Sequence, residues 1–295
     1  MNKNTPAKGF TSVLMKQVNA VAAAAGNQLS NTDNEHVVDI LNGTLTRIKD
    51  NNIDPNTIRF TECAFPSQVK RFARMGLSMS ENHFYVDLRS NKNGGYDIGL
   101  WMQYQGEEHL LMEFCKKNGG VVNIYKDVVM DGEELVTKRN FKTGNLEVID
   151  HKIPDVFNRN VDIKNKDKLV GAYAIAYHAD GSQTAVIVDR VRIDRGYTAA
   201  KTKNIWNADY KAMVLKTAVH VLFKELRKFN EIPADLKSDY NEVVTGSEKD
   251  ANAAVVQTAT EVYEADITEV VDIDTGEVLT PPPAPAASTE DEPAW

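Results

Sequence analysis

The stretch from Asp189 to Phe229 reads DRVRIDRGYTAAKTKNIWNADYKAMVLKTAVHVLFKELRKF, and its charge distinguishes it from the rest of the chain. From Arg190 to Lys228 it holds ten basic and three acidic residues, a local charge of +7 in a 295-residue chain whose net charge is −8. Solvated helix faces usually mix both signs, because acid–base pairs four residues apart stabilise them. A nearly all-positive stretch therefore indicates a polyanionic partner, with a merely solvated surface as the alternative. The basic residues are Arg190, Arg192, Arg195, Lys201, Lys203, Lys211, Lys216, Lys224, Arg227 and Lys228.

The second half of the stretch has a helical period. One side is cationic, because Lys216, His220, Lys224 and Arg227 recur at spacings of four, four and three residues. The pattern predicts one long amphipathic basic helix over about 206–229, with Trp206 at its start. The positions predicted to be buried are Tyr210, Val214, Thr217, Val221, Leu222, Leu226 and Phe229.

The residues that lead into the stretch alternate as a strand does. In TAVIVDRVRI, at 184–193, this alternation predicts that Arg190 and Arg192 lie on the same face of a strand. We expect that face to line a groove together with Lys201 and Lys203. Aromatic side chains near such cations can stack on unpaired bases, for about 1–3 kcal/mol per base. Trp206, Tyr197 and Tyr210 are the candidates, and core packing is the alternative for each.

The rest of the central region predicts an α+β fold in which antiparallel β-hairpins or a sheet pack on helices. Two pairs of alternating segments flank the glycine turns at 93–95 and 180–181 and are predicted hairpins. Thr32 followed by Glu35 is a capping-box pattern that predicts the start of a helix. A short helix is predicted over 68–77, with Lys70, Arg71 and Arg74 exposed.

Composition and charge predict three parts. Residues 1–30 form an N-terminal arm that is partly disordered, with a helix over 10–25. Residues 31–230 form the core, which together with the arm carries a charge of +6. Residues 231–295 hold 16 acidic and 2 basic residues and end in a Pro/Ala-rich segment that predicts a disordered acidic tail.

Cysteine usage and hydropathy indicate the compartment. Cys63 and Cys115 are far apart and have no Cys-x-x-Cys spacing, which is typical of a reducing compartment. No apolar run approaches the ~18 residues of a membrane span. We therefore expect a cytoplasmic protein without a membrane partner.

The sequence contains no strong catalytic motif. GYTAAKT at 196–202 lacks the glycines with which a phosphate loop cradles a nucleotide. The six histidines are not at metal-ligand spacing from each other or from a cysteine, so no metal site is predicted. Four carboxylates are candidates for a magnesium-dependent nuclease centre, and sequence spacing alone does not decide whether they meet. These are Asp87, Asp97, Glu113 and Asp127.

Several motifs resemble the RecT/Redβ family of phage single-strand annealing proteins. Trp206, Met213, Lys216 and Thr217 match the tryptophan, methionine and Lys-Thr of the family's basic helix. Further matches, in the same order, are GLSMSENHFYV (76–86), MQYQGEEHLLMEFCKKNGGVVNIYKDVVMDGE (102–133), HKIPD (151–155) and LVGAYAIAY (169–177). The family often has an arginine a few residues after Lys-Thr, where this chain has His220 and Lys224.

The resemblance implies a function without catalysis. It implies ATP-independent binding of single-stranded DNA and annealing of complementary strands in phage homologous recombination and DNA repair, with no cofactor beyond Mg²⁺ brought by the DNA. It also implies a homo-oligomer, as a ring or helical filament, that binds the annealed duplex and works with a phage exonuclease in the cytoplasm of the bacterial host. Lys116 and Lys117 match the family's basic-x-Gly position and are added to the DNA-binding candidates.

Two other functions stay open on the sequence, a DNA-processing enzyme such as the nuclease above and a phage scaffold protein that binds no DNA. The C-terminal sequence EDEPAW is similar to the acidic tip of bacterial single-strand binding proteins. That likeness suggests host single-strand binding protein or its partners as a further contact, through Trp295. A solubilising end, or a tail that competes with DNA for the basic core, is the alternative.

Overall fold

The computed structural model describes residues 7–26, 28–58, 64–92, 94–141, 144–200 and 203–245, with two short strands at 270–271 and 278–279. The chain divides into two units. The first comprises Met1–Lys70, Leu88–Ile98 and Glu248–Trp295, and the second comprises Arg71–Asp87 and Gly99–Ser247. The division of the chain into an arm, a core and an acidic region stays a prediction.

Two helices form the core of the first unit. Helix α1 (Ala7–Ala24) ends before Gly26, whose φ of 71° suits glycine, and it packs on α2 (Asn31–Asp50). The capping box that begins α2 is formed by Ser30 and Asp33 and not, as predicted, by Thr32 and Glu35. The Asp33 N–H donates to Ser30 Oγ at 3.0 Å and the Ser30 N–H donates to Asp33 Oδ2 at 2.8 Å. Ser30 can serve because its own backbone is still extended.

Helix α3 (Phe65–Arg74) was expected to expose its basic residues, and this was wrong. Lys70 and Arg71 are buried, at 6% and 5% exposure. Arg74 forms ion pairs with Asp239 at 2.5 Å and Asp235 at 2.8 Å, and Arg71 forms one with Glu242. Asp239 and Glu242 belong to α8 (Lys237–Thr245), so ion pairs bind this part of the acidic region to the core.

The predicted hairpin around the 93–95 turn is confirmed. Strands β1 (Phe84–Ser90) and β2 (Tyr96–Met102) form a two-stranded sheet. After β2 the chain enters α4 (Tyr104–Phe114), and Gly106 in its first turn lies against the start of the hairpin. A Cβ atom at Gly106 would lie 2.4 Å from the His83 carbonyl oxygen and 2.8 Å from Met102 Cγ.

We expect Gly106→Ala to destabilise the protein. The added methyl group meets backbone that cannot rotate away, so the free energy of unfolding should fall by about 1–3 kcal/mol, as for an overpacked core. Chemical denaturation of the variant beside Glu113→Ala, an exposed position on the same helix, measures this. Equal stability of the two variants would contradict the close packing of α4 on the hairpin.

A five-stranded antiparallel sheet forms the centre of the second unit, in the order β3-β6-β7-β5-β4. The combination of this antiparallel sheet with helices confirms the predicted α+β class. The strands are β3 (Val121–Met130), β4 (Glu134–Arg139), β5 (Leu146–Lys152), β6 (Leu169–His178) and β7 (Gln183–Asp189).

The two faces of the central strand β6 differ in side-chain size. Ala172, Ala174 and Ala176 alternate with Tyr173 and Ile175, and all five are buried. Tyr173 and Ile175 belong to a hydrophobic cluster that includes Val129 and Ala185. The alanine face is therefore the one against which helix α7 (Tyr210–Leu226) packs, because small side chains let a helix come close to a sheet.

The basic stretch folds differently from the prediction at two places. Strand β7 ends at Asp189, and Arg190 and Arg192 lie in helix α5 (Arg190–Ala199), so their predicted position on one strand face was wrong. The helix predicted over 206–229 is interrupted. It consists of α6 (Asn204–Ala208), α7 and a 3-10 turn at Arg227–Phe229.

Two aspartates explain these differences. The Arg192 N–H donates to Asp189 Oδ1 at 2.8 Å and the Ala212 N–H donates to Asp209 Oδ1 at 2.9 Å. Each aspartate therefore acts as an N-cap, one beginning α5 and the other separating α7 from α6. Asp209 has φ −142° and ψ 78°, outside the helical region.

Over the described ranges, no helix has both the length and the apolar composition that crossing a bilayer requires. Strands β8 (Val270–Val271) and β9 (Val278–Leu279) pair antiparallel. The structure does not describe three parts of the chain on which predictions were made: Lys201, the two ends predicted to be disordered, and the tip at Trp295.

Candidate nucleic-acid interface

Arg190 is held by contacts within the fold. Its Nε donates to both oxygens of Asp194 at 2.9 Å, and its guanidinium also donates to the carbonyl oxygens of Lys166 and, at 3.3 Å, Leu169. A weaker ion pair of 3.5 Å joins it to Asp167. Arg190 therefore fixes the start of α5 to the entry of β6, and a phosphate would have to displace these partners.

Between Arg190 and Lys228, seven of the predicted DNA-binding side chains are exposed to solvent. None of the seven side chains forms an ion pair with a residue that the structure describes, and Lys203 lies over the Tyr197 ring, 4.7 Å from its centroid. Exposed cations without an acidic neighbour keep their positive field, which an incoming polyanion can neutralise. They are Arg192, Arg195, Lys203, Lys211, Lys216, Lys224 and Arg227.

Three of these cations form the basic stripe, defined as Lys216, Lys224 and Arg227. Their spacing of eight and three residues places them along one side of α7, and Arg227 continues the line because its backbone is helical, with φ −57° and ψ −21°. His220 lies between them, where its Nδ1 is 2.6 Å from Oε1 of Glu107 in α4. Burial of Glu107 at 8% exposure makes this pair a link between α4 and α7.

The opposite side of α7 is the buried one, as the helical period predicted. Tyr210, Val214, Leu222 and Leu226 are buried and face the sheet and α4. Phe229 is 37% exposed, because it follows the helix in the 3-10 turn. The buried face fixes α7 in rotation, so the basic stripe has to face away from the core.

Trp206 lies in the core. Its exposure is 4%, and its ring contacts Tyr197 edge-to-face at 5.7 Å between centroids and Tyr210 at 5.9 Å. A ring enclosed in this way cannot stack on a base unless the helices separate. The structure therefore supports core packing for Trp206, which anchors α6 between α5 and α7, and Tyr210 is likewise buried.

Lys116 and Lys117 have different surroundings although they are adjacent. Lys116 is exposed, and its Nζ donates to the Glu113 carbonyl oxygen at 3.4 Å. Lys117 donates to Asn145 Oδ1 at 3.1 Å and Thr184 Oγ1 at 3.2 Å, and burial lowers its pKa. Lys117 therefore joins the α4–β3 connection to β7, and only Lys116 is open to a phosphate.

The structure brings together a histidine pair that the sequence did not predict. Side-chain ligand atoms of Glu81, His83 and His109 lie within 4.8 Å of one another. The hydrogen bonds, however, assign the ring protons. The Ser78 N–H donates to His83 Nδ1 at 3.0 Å, so Nε2 of neutral His83 carries the proton toward Glu81 at 3.0 Å. His109 Nε2 donates to the Met75 carbonyl oxygen at 3.1 Å, so these bonds fit a structural role better than metal ligation.

The nuclease alternative required four carboxylates to meet. None of them belongs to the three-ligand group found among the described residues. Asp127 is paired with Arg159 at 2.7 Å, Asp97 accepts from Asn91 at 3.1 Å, and Glu113 is exposed on α4. The GYTAAKT stretch begins at Gly196, which lies inside helix α5 and not in a loop. A Cβ atom added to Gly196 would lie 3.5 Å from the Trp206 ring.

Comparison with known proteins confirms the resemblance to the RecT family. The model of the RecT family matches residues 39–256, more than half of the chain. The chain is similar to Protein RecT of Escherichia coli (strain K12), with 25% identity over 189 residues, 62% of this chain and 64% of that protein. The match thus covers less than two thirds of the length of this relative.

Proposed function

The chain belongs to the RecT family, and from this membership and the geometry of the basic stripe we propose that it binds single-stranded DNA and anneals complementary strands without using ATP. The observation that carries the proposal is the row of exposed cations along α7, none of them paired with an acid that the structure describes. Cations of this kind bind phosphates and release counterions, which gives affinity without reading the base sequence.

The mechanism is electrostatic. Lys216, Lys224 and Arg227 hold phosphates of one strand, so the bases stay available for pairing with a second strand. Neutralised phosphates also reduce the repulsion between the two strands as they approach. No bond is made or broken in this scheme, and Mg²⁺ enters only as a counterion of the DNA.

The family resemblance supports further parts of the proposal. We propose that the protein acts in phage recombination and repair, in the cytoplasm of the bacterial host, as a ring or helical filament of identical subunits. The single strands would come from a phage exonuclease, and the annealed duplex would stay bound. Contacts with host single-strand binding protein or its partners are proposed for the tail.

Strand annealing in the presence of EDTA and without nucleotide tests the function. Two complementary oligonucleotides with a fluorescent donor and acceptor should pair faster when full-length protein is added, and electron microscopy of the product should show an oligomer on the DNA. A protein that binds no DNA at low salt would be the scaffold, and loss of labelled DNA on addition of Mg²⁺ would identify the nuclease. Either result would overturn the proposal.

A further inference from the structure

The outer face of the β1–β2 hairpin carries two half-exposed aromatic rings. We infer that Tyr85 and Trp101 form a second contact for single-stranded DNA, a platform on which unpaired bases stack. The inference rests on the proposed function and adds to it the groups that would hold the bases, a role for which Trp206 is too deeply buried.

The register of the hairpin places the two rings opposite each other. At the turn the Asn91 N–H donates to the Gly95 carbonyl oxygen at 2.8 Å, and at the other end the Gln103 N–H donates to the His83 carbonyl oxygen at 2.8 Å. Both bonds correspond to the same register, in which Tyr85 faces Trp101 across the strands. Directly opposed side chains in an antiparallel pair lie on the same face, about 4.5–5.5 Å apart at Cβ.

The opposite face of the hairpin is part of the core. Phe84, Val86 and Leu100 are buried at 1%, 2% and 4% exposure, and Phe84 packs edge-to-face on Phe72 at 5.1 Å. Tyr85 and Trp101 alternate with them and are 41% and 49% exposed. The buried face thus fixes the hairpin, and the two rings are presented outward on a rigid support.

The first turn of α4 connects this pair with the basic stripe. The His83 carbonyl oxygen, two residues before Tyr85, lies over Gly106, and Glu107 accepts from His220 within the stripe. The first turn of α4 therefore contacts both the hairpin that carries the rings and His220, which lies between the cations of the basic stripe.

The size of the aromatic surface favours a base over a protein. Two half-exposed aromatic side chains offer on the order of 200 Å², from about 150–250 Å² for each whole side chain. A stable protein interface needs roughly 800 Å² per partner. In the same register Asp87 and Gly99 adjoin the pair, so the apolar surface ends after two rings, which suits one or two stacked bases.

Binding to oligo-dT and to an abasic oligonucleotide of equal length separates stacking from charge. Trp101→Leu and Tyr85→Leu should each weaken oligo-dT binding roughly tenfold, since one stacked base contributes about 1–3 kcal/mol and 1.4 kcal/mol is tenfold. Affinity for the abasic strand, which keeps every phosphate, should hardly change. Tyr177→Leu, at 37% exposure on the five-stranded sheet, is the matched control and should leave both affinities unchanged.

A conservative variant keeps the test valid if the leucine variants do not fold. Trp101→Phe should bind oligo-dT nearly as the wild type does, but the fall in tryptophan fluorescence that accompanies wild-type binding should be largely lost. Two results would contradict the stacking platform: no fluorescence quenching from Trp101, or an equal loss of affinity for both oligonucleotides in the leucine variants. Annealing by the wild type would still support the proposed function in either case. If the wild type binds neither strand, both fail.

Discussion

Replacing Lys216, Lys224 and Arg227 together by glutamine should weaken binding to single-stranded DNA about 100-fold at 0.1 M salt, with little difference left near 1 M. Each phosphate contact with a single strand contributes about 0.7 to the slope of log K against log salt, so three contacts remove roughly two units of slope. The loss should be similar for all base sequences, because phosphates carry no sequence information. Fluorescence anisotropy across a salt series measures the slope.

A matched charge control shows whether position matters. Lys138, Lys164 and Lys168 are also exposed, but they lie on β4 and in the 3-10 turn at Ile163–Lys168. Their triple replacement by glutamine changes the net charge by the same amount and should leave the slope nearly unchanged. Equal losses in the two triple variants would mean that net charge, and not the basic stripe, governs binding.

Replacing Arg159 by methionine should lower the free energy of unfolding by about 3–5 kcal/mol at pH 7. Arg159 donates to Asp127 Oδ2 at 2.7 Å and to Glu133 Oε2 at 2.9 Å, and both carboxylates are nearly buried. His151 Nε2 is 3.1 Å from the same Glu133 oxygen. Without the guanidinium two buried negative charges lack their cation.

The pH dependence of this loss has a definite sign. Burial acts to raise the pKa of Glu133, but the hydrogen bonds and charge of Arg159, with the Met130 N–H, outweigh it and hold the pKa below its usual value. A lowered pKa in the folded state gives stability that is present above the unfolded pKa, about 4.3, and is lost as the pH falls through the folded value. In the variant the pKa should rise instead, so the stability difference should shrink in acid.

Urea denaturation between pH 4 and pH 7 tests both statements. Arg192→Met, at an exposed position, is the control and should stay within about 0.5 kcal/mol of the wild type. An Arg159 variant as stable as the control at pH 7 would show that the buried carboxylates do not depend on the guanidinium.

Strong local patterns allowed most of the fold to be predicted. The strands around the turns at 93–95 and 180–181 were predicted correctly because apolar alternation and glycine turns agree there. Asp189 and Asp209 misled the interpretation. Each occupies a polar position in the alternation of a strand or the period of a helix, so the pattern continues through it. Its side chain caps the N-terminus of the next helix, and hydrophobic periodicity does not reveal an N-cap.

The candidate site was predicted only in part, because a sequence gives the charge of a side chain but not its neighbours. Arg190 and Lys117 are basic residues like Lys216, yet contacts with residues more than 20 positions away bind them within the fold. His83 and His109 meet although they are 26 residues apart. The Tyr85–Trp101 pair could have been found by counting outward from the turn at 93–95, since the hairpin register follows from the turn.

Protection of lysines from acetylation, read by mass spectrometry on the unmodified full-length protein, tests the central claim most directly. With saturating oligo-dT at low salt, Lys216 and Lys224 should be strongly protected, and the protection should disappear at about 1 M salt. Lys138 and Lys164, exposed on other elements, should react equally with and without DNA. If Lys216 and Lys224 react at the same rate in the complex as in the free protein, the DNA does not lie on the basic stripe.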